Sequence, residues 1–338
     1  MLGLIDNHID EAAMTAWPKK AGRISHGNQS LWQIKDAYCQ FGGNEVSSLG
    51  LGLINLKQQQ EFLYQILKGI DQLIDQKVMV ICLPMAFASS TPLLEEIANA
   101  CHEKNMLLIA PAGNKGQERI MYPGAYPHVL CVGAMDISGD VASYSGSLQD
   151  EQGHYIKPDI LAKGSLMIQD DHISEGTSVA CAEVAGLAAS ILEINPDLTA
   201  FDLKRRILNH CSPHTGSRFG FLDGKKSEES DQHFRSDHSY NQPHRSGFSA
   251  GWVDPVLTGE YKRANQLGRS LKALVSLISL KITPTDLSVF DDPLVSTYEK
   301  FNHLNVVCID ARPAFFEVLF AHPDLAWASS LDLNYFDI

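Results

Sequence analysis

Residues 176–186 read Gly-Thr-Ser-Val-Ala-Cys-Ala-Glu-Val-Ala-Gly, a glycine turn that leads directly into an apolar helix. The spacing of the apolar residues after Ser178 predicts a helix that continues to Asn195-Pro196, where the proline stops it. A hydroxyl at this position is most often a helix cap. The positive end of the helix dipole also lies there, which suits a serine that takes part in chemistry.

Three further polar residues accompany this serine in an order that favours acid–base chemistry. Asp6 follows Leu4-Ile5, His26 precedes a glycine, and Asn114 lies in a glycine turn after an apolar run. Alone, each is typical of a turn, a loop or a cap. Together they give the order Asp, His, Ser, with an amide that can donate to an oxyanion. A serine nucleophile needs a base that titrates near neutral pH, and His26 is the candidate.

The first two-thirds of the chain alternates apolar runs with amphipathic stretches. The predicted strands are 2–5, 78–83 and 106–110, and the predicted helices are 31–38, 58–75, 93–104, 202–208 and the one after Ser178. This pattern predicts an α/β fold with a doubly wound, mostly parallel sheet and helices on both faces. Asp6 and Asn114 would then lie at the carboxyl ends of strands, where such sheets hold functional groups.

Several segments resemble those of the subtilisin-like serine proteases, or subtilases. They are residues 176–186, Tyr122-Pro123-Gly124-Ala125-Tyr126-Pro127, Cys131-Val132-Gly133-Ala134-Met135-Asp136 and Lys157-Pro158-Asp159-Ile160-Leu161-Ala162. The order Asp, His, Ser is also the subtilisin order. The resemblance implies a subtilisin-like fold, a catalytic triad of Asp6, His26 and Ser178, and Asn114 in the oxyanion hole.

The resemblance also implies a substrate-binding edge. Its residues would be Pro84, Met85, Ala86, Phe87, Ala112 and Gly113. Subtilases usually have Ser-Leu-Gly-Gly at the first four of these positions. Because proline has no N–H to donate and Phe87 is bulky, we expect a narrowed pocket that prefers small or medium side chains at the scissile bond. A closed cleft in a non-catalytic relative is the alternative.

Other departures from the subtilase pattern surround the candidate residues. His8 stands where subtilases usually have glycine, and Asn28-Gln29 replaces Thr-His. Ala182-Glu183 replaces the Pro-His pair after the serine, and Lys163 replaces the proline of a Pro-Gly pair. We expect a changed local shape with the triad kept.

Composition excludes some classes of binding partner. The 338 residues carry a net charge of −13 without a basic cluster, which argues against nucleic acid and anionic membranes. Apolar runs long enough for a transmembrane helix are missing, and residues 1–6 lack the features of a signal peptide. The seven scattered cysteines suit reduced thiols. We therefore expect a cytoplasmic protein that is active without removal of an N-terminal segment, and export by a signal-independent route is the alternative.

The predicted organisation is a peptidase domain over residues 1–264 and a C-terminal extension of unknown role over 265–338. Residues 212–246 become polar and include histidines 214, 233, 238 and 244, which predicts a surface insertion or mobile loop. The histidine spacings match no compact metal-ligand motif. In the extension, residues 267–280 have a helical period and residues 305–309 are strand-like.

The function expected from these residues is a serine endopeptidase that acts on a protein or peptide through an acyl-enzyme, with no cofactor and no metal. An amine can resolve an acyl-enzyme in place of water, so a peptide-maturing or macrocyclising subtilase is an alternative. A non-catalytic pseudoprotease that binds an extended peptide is another. The oligomeric state stays open.

Overall fold

The computed structural model describes residues 1–10, 24–43, 50–56, 61–169, 172–223, 250–277, 280 and 287–331. In these ranges the strands are β1 (Leu2–Asn7), β2 (Leu51–Leu56), β3 (Val80–Cys82), β4 (Leu107–Pro111), β5 (Leu130–Met135), β6 (Leu148–Gln149), β7 (Tyr155–Lys157), β8 (Ile160–Lys163), β9 (Ser165–Gln169), β10 (His172–Glu175), β11 (Cys211–Ser212), β12 (Phe221–Leu222), β13 (Trp252–Val253), β14 (Leu271–Leu277), β15 (Val295–Lys300), β16 (Val307–Ala311) and β17 (Leu325–Ser329). The helices are α1 (His26–Gln40), α2 (Phe62–Asp75), α3 (Pro92–Glu103), α4 (Thr177–Ile194), α5 (Ala200–Leu208), α6 (Pro255–Leu267) and α7 (Pro313–Phe320), with a short 3-10 helix at Ser288–Phe290.

The larger sheet is mostly parallel. Within the described ranges its eight strands have the order β11-β12-β8-β5-β4-β3-β1-β2, and the β11–β12 pair is its antiparallel edge. β1 pairs in parallel with β2 on one side and with β3 on the other, so the strand order reverses at β1. Such a switch point opens a crevice at the carboxyl ends of the strands.

Helices cover both faces of this sheet. Successive residues of a strand point to opposite faces, and the first strand shows this: Leu4 packs in the core with α1, α4 and α5, while Ile5 packs in the core with α2 and α3. β3 and β4 are buried along their whole length, as expected of central parallel strands. The predicted doubly wound α/β architecture is confirmed.

α4 is the central helix of the hydrophobic core that contains Leu4, α1 and α5. Its length and composition would also suit a membrane span, but 83% of it is buried inside the protein, so it is a core helix. The approach to α1 is close: a β-carbon added at Gly186 would collide with the carbonyl oxygen of Ile34 and lie 2.6 Å from Cβ of Ala37. Glycine is therefore required where the two helices touch.

A second sheet lies in the C-terminal part of the chain. Its described strands have the order β13-β17-β14-β16-β15, and every pair except β13–β17 is antiparallel. One face packs against α6 and α7 through Leu257, Phe315 and Phe316. The other face joins the core that α2 and α3 form.

The two sheets therefore share one hydrophobic core. Phe301 and Trp327 are buried with the apolar faces of α2 and α3. Backbone contacts support the same docking, because the Asp71 carboxylate of α2 accepts hydrogen bonds from the N–H groups of Asn302 (3.1 Å) and His303 (2.7 Å). The C-terminal unit is packed as part of the same folded body.

The predicted boundary at residue 264 falls inside α6. β13 pairs with β17, and α6 packs on the second sheet, so both elements belong to the C-terminal unit. The expected insertion over residues 212–246 begins with β11 and β12 of the larger sheet, and residues 224–246 lie outside the described ranges.

The helical period predicted for residues 267–280 was wrong, because residues 271–277 form β14. Leu274 faces the core shared with α2 and α3, whereas Ala273 and Val275 face the core under α6 and α7. A strand that is buried on both faces has no apolar–polar alternation to distinguish it from a helix.

We expect Gly186→Ala to lower the free energy of unfolding by about 1–3 kcal/mol, because the added methyl group overpacks the α1–α4 contact. Gly259→Ala in α6 is the matched control, since nothing lies within 4 Å of a β-carbon there. That variant should gain about 0.5–1 kcal/mol from the helix propensity of alanine. Chemical denaturation measures both changes. Equal effects in the two variants would contradict the close contact.

Candidate active site

A cavity of about 320 Å³ lies at the carboxyl ends of β1, β3 and β4, next to the switch point. Strand ends and the first residues of α1 and α4 contribute its walls. The lining residues are Asn7, His26, Pro84, Met85, Ala86, Pro111, Gly113, Asn114, Met121, Ser174, Glu175, Thr177 and Ser178. Three of the sequence-predicted polar residues, His26, Asn114 and Ser178, are thus brought to one cavity.

Asp6 and His26 form a hydrogen-bonded pair. Asp6 is fully buried at the end of β1, and His26 is the first residue of α1. The Nδ1 atom of His26 lies 2.9 Å from Oδ1 and 3.0 Å from Oδ2 of Asp6. In the neutral ring Nδ1 therefore carries the proton, because it faces a carboxylate. The other ring nitrogen, Nε2, is left as an acceptor.

The electrostatic surroundings of His26 act in opposite directions. Burial alone would lower its pKa, but the charge of Asp6 and the hydrogen bond to it raise the pKa above the ordinary value of 6.5. The side chain keeps 30% of its surface exposed. The carboxylate therefore makes the imidazole more basic while the cavity leaves the ring accessible.

The turn after β1 explains one departure from the subtilase pattern. His8 has a φ of 51°, in the left-handed region that favours glycine. Its carbonyl oxygen accepts a hydrogen bond of 2.7 Å from Oγ of Ser25, the residue that caps α1. This bond ties the turn that follows Asp6 to the residue that precedes His26.

Asn114 is oriented by Thr177. Its Oδ1 atom accepts hydrogen bonds from the backbone N–H of Thr177 (2.9 Å) and from its hydroxyl (2.8 Å). The Thr177 hydroxyl oxygen in turn accepts from the N–H of Gly113 (3.2 Å). Because Oδ1 is engaged in this way, the Nδ2 donor of Asn114 is directed elsewhere.

That donor and the hydroxyl of Ser178 border the same space beside Gly176. A β-carbon placed on Gly176 would be 3.3 Å from Ser178 Oγ and 3.4 Å from Asn114 Nδ2. One small group in this space can therefore contact both atoms. Ser178 Oγ and His26 are not hydrogen-bonded to each other within the described residues. In unliganded sites such bonds are often long and shorten when substrate binds.

The predicted substrate-binding residues divide into two groups. Pro84, Met85, Ala86 and Gly113 line the cavity, whereas Ala112 and Phe87 are buried and are not among its lining residues. The backbone of Phe87 forms a two-bond bridge with Tyr122 (2.7 and 2.9 Å). The bulk of Phe87 therefore fills the core and does not narrow the cavity.

Six lining residues were not predicted as part of a site. They are Asn7, Pro111, Met121, Ser174, Glu175 and Thr177. Asn7, Pro111 and Thr177 adjoin the predicted residues Asp6, Ala112 and Ser178 in sequence, which is a signal that sequence neighbours share the same edge. Within the described ranges, no group of three His, Cys, Asp or Glu side chains is arranged to hold a metal ion.

Two further departures from the subtilase pattern meet in space. Glu183 is buried in α4, and its Oε2 atom accepts a 2.6 Å hydrogen bond from the backbone N–H of Lys163. Proline at residue 163 would have no N–H to donate. The carbonyl oxygen of the next residue, Gly164, accepts from the N–H of Gly176, just before Ser178 (2.9 Å). Glu183 therefore secures the backbone that holds the serine turn.

We expect Glu183→Gln to change the pH dependence of stability. Burial raises the pKa of Glu183 to about 7 from an ordinary 4.5, although the Lys163 N–H and charge lower it in part. Between these pH values the folded chain keeps a proton that the unfolded chain has lost, so stability falls as pH rises. Glutamine removes this loss.

Relative to wild type, the glutamine variant should gain up to about 3 kcal/mol of unfolding free energy between pH 4.5 and pH 7.5. Denaturant titrations across this range measure the difference. Glu151→Gln, an exposed turn residue, is the control. A pH-independent difference for Glu183→Gln would show that its carboxyl is not held in a dry environment.

Comparison with known proteins gives a consistent picture. The model of the subtilase family, Peptidase_S8, matches residues 27–244, a range that starts one residue after His26. The chain is 34% identical over 119 residues to the subtilisin-like protease PopC of Myxococcus xanthus, covering 32% of this chain and 25% of PopC. It is 31% identical over 160 residues to a thermostable alkaline protease of Halalkalibacterium halodurans, covering 46% of this chain and 42% of that protein.

These matches span less than half the length of either relative. Among solved structures, the prenylagaramide maturation protease PagA has a TM-score of 0.51 and 21% identity, covering 69% of this chain and 93% of that one. This likeness concerns the fold.

Proposed function

The chain belongs to the subtilase family, and from that membership we propose that it is a serine endopeptidase that cleaves peptide bonds through an acyl-enzyme. The observation that carries the proposal is the Asp6–His26 pair beside a cavity that Ser178 and Asn114 also line. Proteins or peptides are the proposed substrates.

Ser178 is the proposed nucleophile. Its hydroxyl attacks the scissile carbonyl while Nε2 of His26 takes the proton, and the same proton is then returned to the leaving amine. Asp6 holds the ring in the required tautomer and stabilises the imidazolium that forms. The raised pKa of His26 supports the role of a base, since a more basic imidazole accepts the serine proton more readily.

Asn114 is the proposed oxyanion donor. Because Thr177 engages its Oδ1 atom, Nδ2 is available to a negative oxygen that develops next to Ser178. The backbone N–H of Ser178 and the positive end of α4 act on the same oxygen. Both donors are held by the fold before substrate arrives, so little reorganisation is needed in the transition state.

The wall formed by Pro84, Met85 and Ala86 is the proposed contact with the substrate chain. Pro84 has no N–H to donate to a substrate carbonyl. Discrimination between side chains in such a pocket is worth about 1–3 kcal/mol per misfit. We propose a preference for small or medium side chains that depends on Ala86 and no longer on Phe87.

The alternatives differ in what resolves the acyl-enzyme. Attack by water gives hydrolysis, and attack by a peptide amine gives a joined or cyclic product. A pseudoprotease would form no acyl-enzyme at all. Labelling by a fluorophosphonate distinguishes a pseudoprotease from the two enzymes that form an acyl-enzyme. Mass spectrometry of the products then distinguishes hydrolysis from cyclisation.

Wild type should label with a fluorophosphonate probe, and Ser178→Ala should neither label nor cleave peptides. Loss of the nucleophile or the base lowers kcat by about 10⁶-fold in related triads. His26→Ala should have a similar effect, while circular dichroism shows the fold unchanged. Labelling of Ser178→Ala at the wild-type rate, or activity above a tenth of wild type, would remove the triad assignment.

Asn114→Ala should lower kcat by about 10²–10³ with little change in KM, because its hydrogen bond strengthens as the oxyanion forms. Asn114→Asp is the matched variant, since it keeps the oxygen that accepts from Thr177 and removes the Nδ2 donor. Steady-state kinetics on one peptide compares the two. Near-normal kcat in Asn114→Asp would mean that Asn114 acts only as an anchor for Thr177.

A further inference from the structure

We infer that the exposed face of the β9–β10 hairpin extends the cavity into a second substrate subsite. This subsite would take a peptide with a cationic side chain close to the scissile bond and an apolar side chain two residues farther out. The inference rests on the proposed peptidase function and names the class of substrate.

The cationic preference follows from Glu175. It is the only carboxylate among the described residues that line the cavity, and no lysine or arginine lines it. The backbone of Glu175 pairs with Ser165 of β9, while its side chain is exposed and forms no ion pair or side-chain hydrogen bond with another described residue. Its charge is therefore available to a ligand. The net charge of −13 also favours the approach of cationic peptides.

The apolar preference follows from the next residues of the hairpin. Met167 and Ile173 are cross-strand partners, and they are 70% and 42% exposed. On the opposite face, Leu166 is buried and the hydroxyl of Ser174 donates to Oε1 of Gln29 in α1 (2.6 Å). These contacts leave Met167 and Ile173 on the face that meets solvent, while Ser165, the cross-strand partner of Glu175, is buried.

Strand geometry sets the spacing of the two preferences. Ile173 and Glu175 are two residues apart on one strand, so their side chains share a face about 6.6–6.8 Å apart along it. An extended peptide advances by the same distance in two residues. A peptide that leaves the cavity past Glu175 would therefore place its second following side chain against Met167 and Ile173.

A peptide fits this surface better than a folded protein. The apolar pair is small, whereas a stable protein interface buries about 1,200–2,000 Å². The surface is also continuous with the cavity, because Ser174 and Glu175 of β10 belong to the cavity wall. The occupant that reaches both is the chain being cleaved.

The experiment compares matched quenched peptides that carry Lys, Gln or Glu at each position near the cleavage point, with Leu or Ser two residues farther out. Wild type should show a kcat/KM roughly three- to tenfold higher for the Lys peptide than for the Gln peptide, reduced by salt. Glu175→Lys should reverse the preference toward Glu. Met167→Ser with Ile173→Ser should remove the preference for Leu while keeping that for Lys.

Ile137→Ser and Glu151→Lys are matched controls, since both residues are exposed and neither lines the cavity. They should leave both preferences intact. Equal loss for all peptides in the hairpin variants, or no charge preference in a wild-type enzyme that labels with fluorophosphonate, would overturn the subsite and leave the peptidase proposal standing.

Binding of the same peptides to Ser178→Ala, measured by fluorescence anisotropy, tests the subsite without turnover. A preference for the Lys–Leu peptide there supports the subsite even if wild type fails to label. Affinity that does not depend on either side chain overturns it. A second copy of this chain is the competing occupant of the surface, and mass photometry on wild type and the hairpin variants tests for it. A wild-type dimer that dissociates in the Met167→Ser, Ile173→Ser variant would assign the surface to that second copy and overturn the subsite.

Discussion

The close packing of α1 against α4 determines where the polar groups of the cavity lie. Gly186 has no β-carbon to keep the helices apart, so α4 reaches the carbonyl oxygen of Ile34. Ile34 lies eight residues after His26, and Gly186 lies eight residues after Ser178. Each helix therefore runs about 12 Å from this contact to the cavity. A change in helix spacing would move the imidazole and the hydroxyl relative to each other.

Two buried carboxylates near the cavity have different surroundings and hence different uses. Asp6 faces the imidazole of His26 and accepts the N–H of Asn7 (2.7 Å), so its charge has a partner. Glu183 accepts a hydrogen bond of 2.6 Å from the N–H of Lys163, and burial raises its pKa to about 7. A paired carboxylate can tune a base, whereas a weakly compensated one serves to hold backbone.

Much of the fold could be predicted because its central strands and helices are encoded by patterns of neighbouring residues. The apolar runs of β1, β3 and β4 are continuous, and the residues that follow them must meet at one sheet edge. β14 was missed because it is buried on both faces, and its partners β16 and β17 are distant in sequence. The pairing of β13 with β17 is equally distant in sequence, because β17 lies about seventy residues later, at Leu325–Ser329.

The candidate site was predicted less completely than the fold. The resemblance to subtilases suggested that Phe87 and Ala112 share the cavity with Ala86, but Phe87 is buried in the core and its backbone bridges to Tyr122. Glu175 was overlooked because a carboxylate before a glycine turn has no distinctive pattern. Its position becomes meaningful only through the cavity that β1, β3 and α4 form around it.

The shared core beneath the second sheet has a consequence for synthesis on the ribosome. α2 and α3 leave the ribosome early, yet the apolar face they present is completed by Trp327 and Leu331, close to the end of the described chain. β17 also lies between β13 and β14, so the second sheet stays divided until that strand has emerged. Translation must therefore pass residue 331 before the scaffold under the cavity closes, and a stalled ribosome would carry an incomplete intermediate with exposed apolar surface.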